Sequence, residues 1–284
     1  AIFLGGVGLS ITINNTFVKL SIRFPNDSAR AISQANGVNS AFMLIGNFII
    51  GIIASTTFSW KIGLLLCIPF TFFLYLFLGK TEPTDYVPDS QGRQRGSLPS
   101  RYWISWIGMT FCIASEFAVG FWAAALLKER TSITSALATT LVLAYPTGMM
   151  LGRWFGTFLF PKFSIDKRLC FFISVQGSSF LVFWTSEFLF LSFIALLIVG
   201  FGTSMQFALS TLRLLKFGHE KTDLAMGKSS LGAGLAIAIS PLFLGFLSDQ
   251  VGITNAFLFV PVLVVCAFVI VLLVPSAIHE SEKV

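Results

Sequence analysis

One carboxylate stands in the middle of an otherwise apolar run. Glu116 lies in Cys112-Ile113-Ala114-Ser115-Glu116-Phe117, inside the run 103–127. A carboxylate in hydrocarbon costs several kcal/mol, so it faces a water-filled cavity or takes a partner. It can then couple a solute to protons or touch the solute, or it can bond to a neighbouring helix and serve packing. Amides pose the same choice between solute ligand and interhelical hydrogen bond. The candidates are Asn14 and Asn15 beside Thr12 in run 1–20, and Gln206 beside Ser204 in run 188–212. Phe117, Phe121 and Trp122 follow Glu116 and either wall a cavity or face lipid. Arg153 closes run 134–158, as a gate cation or as a snorkelling topology charge. Asn36 and Asn39, three apart on one helix face, suit packing.

Other chemistries have no residues to carry them. His219 and His279 sit in a connection and in the tail, and no HExxH, P-loop or GxSxG pattern occurs. Cys67, Cys112, Cys170 and Cys266 form no CxxC pair and read as small apolar packing residues. No metal, cofactor or nucleotide site is expected, and the chain does not read as an enzyme.

The elements that must position these residues follow from composition. The 284 residues are 55% hydrophobic and 11% charged, with mean hydropathy +0.83 and 32 Phe. A soluble domain is about 25% charged, so a polytopic, all-α transmembrane protein remains. A span needs about 20 apolar residues. Nine runs qualify: 1–20, 33–57, 61–79, 103–127, 134–158, 168–185, 188–212, 226–247 and 253–275. The segment 80–102 holds Pro83, Pro88, Pro99, Gly92 and Gly96 and reads as a linker. Of the 19 Lys and Arg residues, only Lys61, Lys128 and Arg130 fall in the even-numbered connections. The linker and C-terminus are therefore expected on the cytoplasmic side of the plasma (inner) membrane. The net charge of +6 records this topology, and no nucleic acid partner is implied. Ala1 lies in apolar sequence with no charged region before it, which predicts a cut through a longer protein.

Sliding the chain on itself brings Gly6-Val7-Gly8 onto Gly200-Phe201-Gly202 and Lys19-Leu20 onto Arg213-Leu214. The same offset brings Gly51 onto Gly245. Spans one to three and seven to nine are then equivalent parts of two similar halves. The expected organisation is 1–79 as the last three helices of a first bundle and 80–102 as the cytoplasmic inter-bundle linker. Residues 103–275 form a complete six-helix second bundle, and 276–284 a cytoplasmic tail. Nine spans are present of an expected twelve.

The run Gly152-Arg153-Trp154-Phe155-Gly156, with Pro161-Lys162-Phe163 and Lys167-Arg168, resembles the cytoplasmic loop signature of the major facilitator superfamily. Pro161 stands where that signature usually carries an acid. Ser240-Pro241-Leu242, Gly245 and Asp249-Gln250-Val251-Gly252 resemble the family's helix eleven and its outer loop. The resemblance covers the chain as family helices four to twelve. It implies a secondary transporter of a small solute by alternating access, monomeric when full length, in the lipid bilayer. Glu116 is then the candidate for coupling to protons, and Gly152, Arg153, Lys162 and Arg168 the cytoplasmic gate. The alternatives are a polytopic enzyme of lipid metabolism and a non-transporting membrane sensor.

Overall fold

The computed structural model describes residues 28–54, 67–78, 96–160, 162–218 and 221–276, with Gly8, Thr12, Thr16, Lys19, Leu20, Arg23, Phe24 and Leu65. Every regular element among them is helical. Contacts divide the chain into two units, one of Ala41–Arg95 and one of Ala1–Ser40 with Gly96–Val284. Helix α1 spans Ser28–Ala54 and α2 spans Cys67–Leu78. Within the smaller unit, Phe42 and Phe70 approach to 6.1 Å between ring centroids. Phe70, Phe72, Phe73 and Phe77 of α2 are exposed, as an apolar helix in contact with lipid would be.

In the larger unit, α3 (Ser100–Thr131) begins after Pro99, which is extended and has no N–H to leave unpaired. It ends with Lys128 and Arg130 in its last turn, where cations meet the negative end of the helix dipole. Ser132, left-handed at φ 53°, closes it by bonding to the Lys128 carbonyl. Run 134–158 is two helices, α4 (Ser135–Leu141) and α5 (Ala144–Phe155), followed by a 3-10 turn at Gly156–Phe158. Ser164 caps α6 (Ile165–Thr185). Helices α7 (Leu189–Thr203) and α8 (Gln206–Gly218) share one span. Then come α9 (Thr222–Val251), α10 (Ile253–Ala256) and α11 (Phe259–Leu273).

Among the described residues, five stretches are long and apolar enough to cross a membrane: Ser100–Thr131, Ile165–Thr185, Leu189–Gly218, Leu224–Val251 and Ile253–Leu273. The chain is an integral membrane protein. The structure thus supports five of the nine expected spans by length and hydropathy. Most of run 1–20 and much of 61–79 lie outside the described residues.

Two kinds of contact hold the bundle. Between α5 and α7 the backbones touch: a methyl group on Gly148 would overlap the Leu197 carbonyl, and one on Gly200 would overlap that of Tyr145. Gly148 and Gly152 form the small-xxx-small pair that permits such an approach. Between α3 and α9 the contact is a row of side-chain donors on carbonyls. Tyr102 Oη donates to Ala225 O (2.6 Å), Trp106 Nε1 to Lys228 O (2.7 Å), Ser240 Oγ to Ala114 O (2.6 Å) and Trp122 Nε1 to Pro241 O (2.9 Å). Trp122 is thus half-buried against α9, its ring over Gly245.

A buried ion pair ties three further helices. Arg213 of α8 is 2% exposed, and its Nε donates to Asp166 Oδ1 at 2.7 Å. Its Nη2 reaches the carbonyls of Val271 and Val274 at the end of α11, and Asp166 Oδ2 accepts from Ser276 N and Oγ at 2.6 and 2.9 Å. By sequence, Arg213 falls in the connection after run 188–212, and Glu116 is the one acid deep in a run. Helix α6 starts at Ile165, three residues before the expected 168, and brings Asp166 inside as well.

Two glycine substitutions separate these effects. Gly148→Ala is expected to lower unfolding stability in detergent micelles by about 1–3 kcal/mol through overpacking. Gly234→Ala, on an exposed face of α9 with nothing near its missing methyl, is expected to raise it by about 0.5–1 kcal/mol. Equal effects of the two would contradict the α5–α7 backbone contact.

Candidate functional site

Arg153, in the last turn of α5, is the hub of the site. Its Nη2 lies 3.6 Å from Glu116 Oε1 on α3, with side chains 14% and 16% exposed. Its Nη1 donates to the Asn36 carbonyl at 3.3 Å and to Ser40 Oγ, both on α1. Its own carbonyl lies 2.9 Å from Ser33 Oγ, which is also 3.0 Å from Met205 Sδ. Gly37 leaves room for the Trp154 ring on the same face of α1. The Glu116 backbone is held in turn, since Tyr145 Oη donates to its carbonyl at 3.2 Å.

The meeting of Glu116 with Arg153 has a simple geometric cause. Counted from the turn at Ser132, Arg153 lies roughly one helical turn, about 5 Å, further along its helix than Glu116 does. A guanidinium on its flexible stem covers that distance. What sequence placed at mid-span and at a span end is one ion pair. Five donors on a planar fork also let one arginine serve a carboxylate, a hydroxyl and a carbonyl together.

Behind the pair runs a buried polar chain. Gln206 Nε2 donates to Gln176 Oε1 at 2.7 Å and to Gly202 O at 2.9 Å. Gln176 Nε2 donates to Ser115 Oγ at 3.0 Å, and Ser115 Oγ donates to Cys112 O at 2.8 Å. Gln206 sits at the break between α7 and α8, 1% exposed, and joins α8 to α6. Its Nε2 is taken up by this interhelical contact, while its buried Oε1 has no hydrogen-bond partner among the described residues. Among the described residues, no three His, Cys, Asp or Glu side chains gather as a metal-holding group.

No family model matches this sequence, and no curated protein matches it. Solved structures do match. A crystal structure of the major facilitator superfamily transporter FucP in an outward conformation superposes with a TM-score of 0.66. It shares 16% identity and covers 87% of this chain and 68% of that one. The Escherichia coli fucose:proton symporter FucP, as a single-substitution variant, gives a TM-score of 0.67 at 15% identity, covering 87% and 69%. The fold is that of the major facilitator superfamily. The resemblance read from the loop signature holds at the level of architecture.

Within this major facilitator fold the other candidates are dispersed. Gly152 faces Ser204 across the α5–α7 contact. Lys162 is exposed, and Arg168 is half-buried with Nη2 3.5 Å from the Thr157 carbonyl. Trp122 serves the α3–α9 seam. Asn14 and Asn15 lie outside the described residues. Asn36 contributes its carbonyl, and Asn39 is exposed. Ser33, Ser40 and Gln176 carry polar contacts that the sequence does not signal, since a lone polar side chain in an apolar run does not name its partner.

A double-mutant cycle tests the central pair. Glu116→Gln and Arg153→Gln are each expected to destabilise the protein in micelles, and the double variant less than their sum, with a coupling of about 0.5–3 kcal/mol. Strict additivity would mean the pair does not form.

Proposed function

We propose that this chain works in a secondary active transporter that moves a small solute across the membrane by alternating access, rather than as an enzyme. Glu116 is the carboxylate that couples the solute to protons. Residues 1–79 and 103–275 belong to two helical bundles joined by 80–102, with the C-terminus on the cytoplasmic side of the plasma membrane. The observation that carries the reading is the sharing of Arg153 between Glu116 on α3 and Ser40 and Asn36 on α1.

One guanidinium serves both partners, so a change in the charge of Glu116 changes what holds Arg153 against α1. That is the linkage a coupled carrier needs between ion binding and a gate. Arg153 with Gly152, Lys162 and Arg168 forms the cytoplasmic gate, whose opening releases Ser33, Asn36 and Ser40. The description of one structural neighbour as a fucose:proton symporter supports pairing a small solute with protons.

Counterflow and proton-driven uptake in proteoliposomes test this with the full-length protein, wild type against Glu116→Gln. Wild type is expected to accumulate its solute under a proton gradient. Glu116→Gln is expected to lose gradient-driven accumulation while keeping exchange. A wild type that transports no solute from a broad panel would overturn the transporter reading, and a Glu116→Gln protein with undiminished gradient-driven uptake would overturn the coupling role.

A further inference from the structure

The turn between α5 and α6 has a surface that neither the ion pair nor the polar chain uses. Phe155, Phe158, Phe160 and Phe163 are 60%, 55%, 39% and 50% exposed at and beyond the end of α5. Exposed Lys162 and Lys167 are interleaved with them. The only acid of this segment is Asp166, which is buried against Arg213 and Ser276. By sequence, the connection between α8 and α9 contains Glu220 beside its lysine, and that between α3 and α4 has Glu129. The α5–α6 turn is therefore cationic with no carboxylate turned outward.

Its cations rest on rings. Arg30 of α1 places Cζ 4.7 Å from the Phe158 centroid, and Lys167 Nζ lies 6.0 Å from that of Phe163. A ring face attracts a cation but does not neutralise it. Arg168 adds a buried Nε that has no hydrogen-bond partner among the described residues. The platform beneath is fixed at a cost. Phe160 has φ 53°, a left-handed conformation that a bulky residue rarely adopts. It stacks on Phe163 at 5.0 Å and 13° between planes, and meets Phe171 edge-on at 5.0 Å. Strain of this kind persists where surrounding contacts over-determine it, and it concentrates at functional positions.

We propose that this turn binds the headgroup of an anionic phospholipid. Exposed rings beside cations are the side chains that anchor at a bilayer interface, and Lys162, Lys167 and Arg168 take the phosphate. Arg30 lies on α1 and Phe158 beyond the end of α5, so an occupied site also ties α1 to the helix that carries Arg153. The inference rests on the turn's own geometry and stands whether or not the chain transports.

Native mass spectrometry of the full-length protein in detergent, titrated with phosphatidylglycerol or phosphatidylcholine, tests it. Wild type is expected to retain phosphatidylglycerol in preference to phosphatidylcholine. Lys162→Gln with Lys167→Gln is expected to weaken that retention by about fivefold per lysine, and Lys162→Arg with Lys167→Arg to preserve it. Equal retention of both lipids by wild type, or undiminished phosphatidylglycerol binding by the glutamine pair, would overturn the proposal. Should the glutamine pair lose its cooperative melting, photo-crosslinkable phosphatidylglycerol on wild type decides. Labelling within residues 154–168 supports the site, and labelling confined to other segments overturns it.

Discussion

A charge that leaves water for a helical bundle in lipid must find its counter-charge inside the protein, and this requirement organises the structure. The desolvation of each ion is recovered only where geometry is good and the remaining hydrogen-bond positions are filled. Asp166 and Arg213 meet that condition closely, with Nε to Oδ1 at 2.7 Å and further bonds to Ser276, Val271 and Val274. Glu116 and Arg153 meet it loosely, at 3.6 Å, while Arg153 divides its donors between two helices. The first arrangement is the fuller of the two and joins three helices. The second leaves the carboxylate with acceptor positions unfilled by any contact among the described residues.

Helices were legible in the sequence wherever hydropathy changed at their ends. The run 103–127 became α3, extended to Ser100 and Thr131 because Pro99 and the Lys128–Arg130 turn set its ends more firmly than hydropathy does. The break at Val142–Leu143 was not legible because the residues on both sides are equally apolar, and the one at Ser204–Met205 because its polar residues read as membrane-buried side chains rather than as a helix end. Asp166 was missed for a related reason. Standing next to Lys167 and Arg168, it looks like part of a solvated connection, and only the cap at Ser164 hints that the helix has already begun.

The candidate site was half legible. A carboxylate in an apolar run announces its own cost, so Glu116 stood out. Its partner did not, because the depth of Arg153 relative to Glu116 depends on the path through the turn at Ser132 and on the reach of the side chain. The α1 side of the site, Ser33, Asn36 and Ser40, depends on contacts more than a hundred positions apart in the chain. Gln206 was visible as a polar residue in the membrane, and its bond to Gln176 shows the same rule as the ion pairs: in lipid, a polar group's partner is another part of the protein.

The glycine contact between α5 and α7 bears on motion. With the carbonyls of Leu197 and Tyr145 lodged against Gly148 and Gly200, neither helix can roll or slide without lifting over a backbone ridge on the other. The two therefore act as one plank, with Arg153 at one edge and Met205 just past the other. Ser33 of α1 touches both edges at once, and Asn36 and Ser40 meet Arg153 beside it, so a tilt of the plank is felt by one face of α1. The mechanical unit of this bundle is a helix pair, and its stiffness comes from the absence of side chains at two positions.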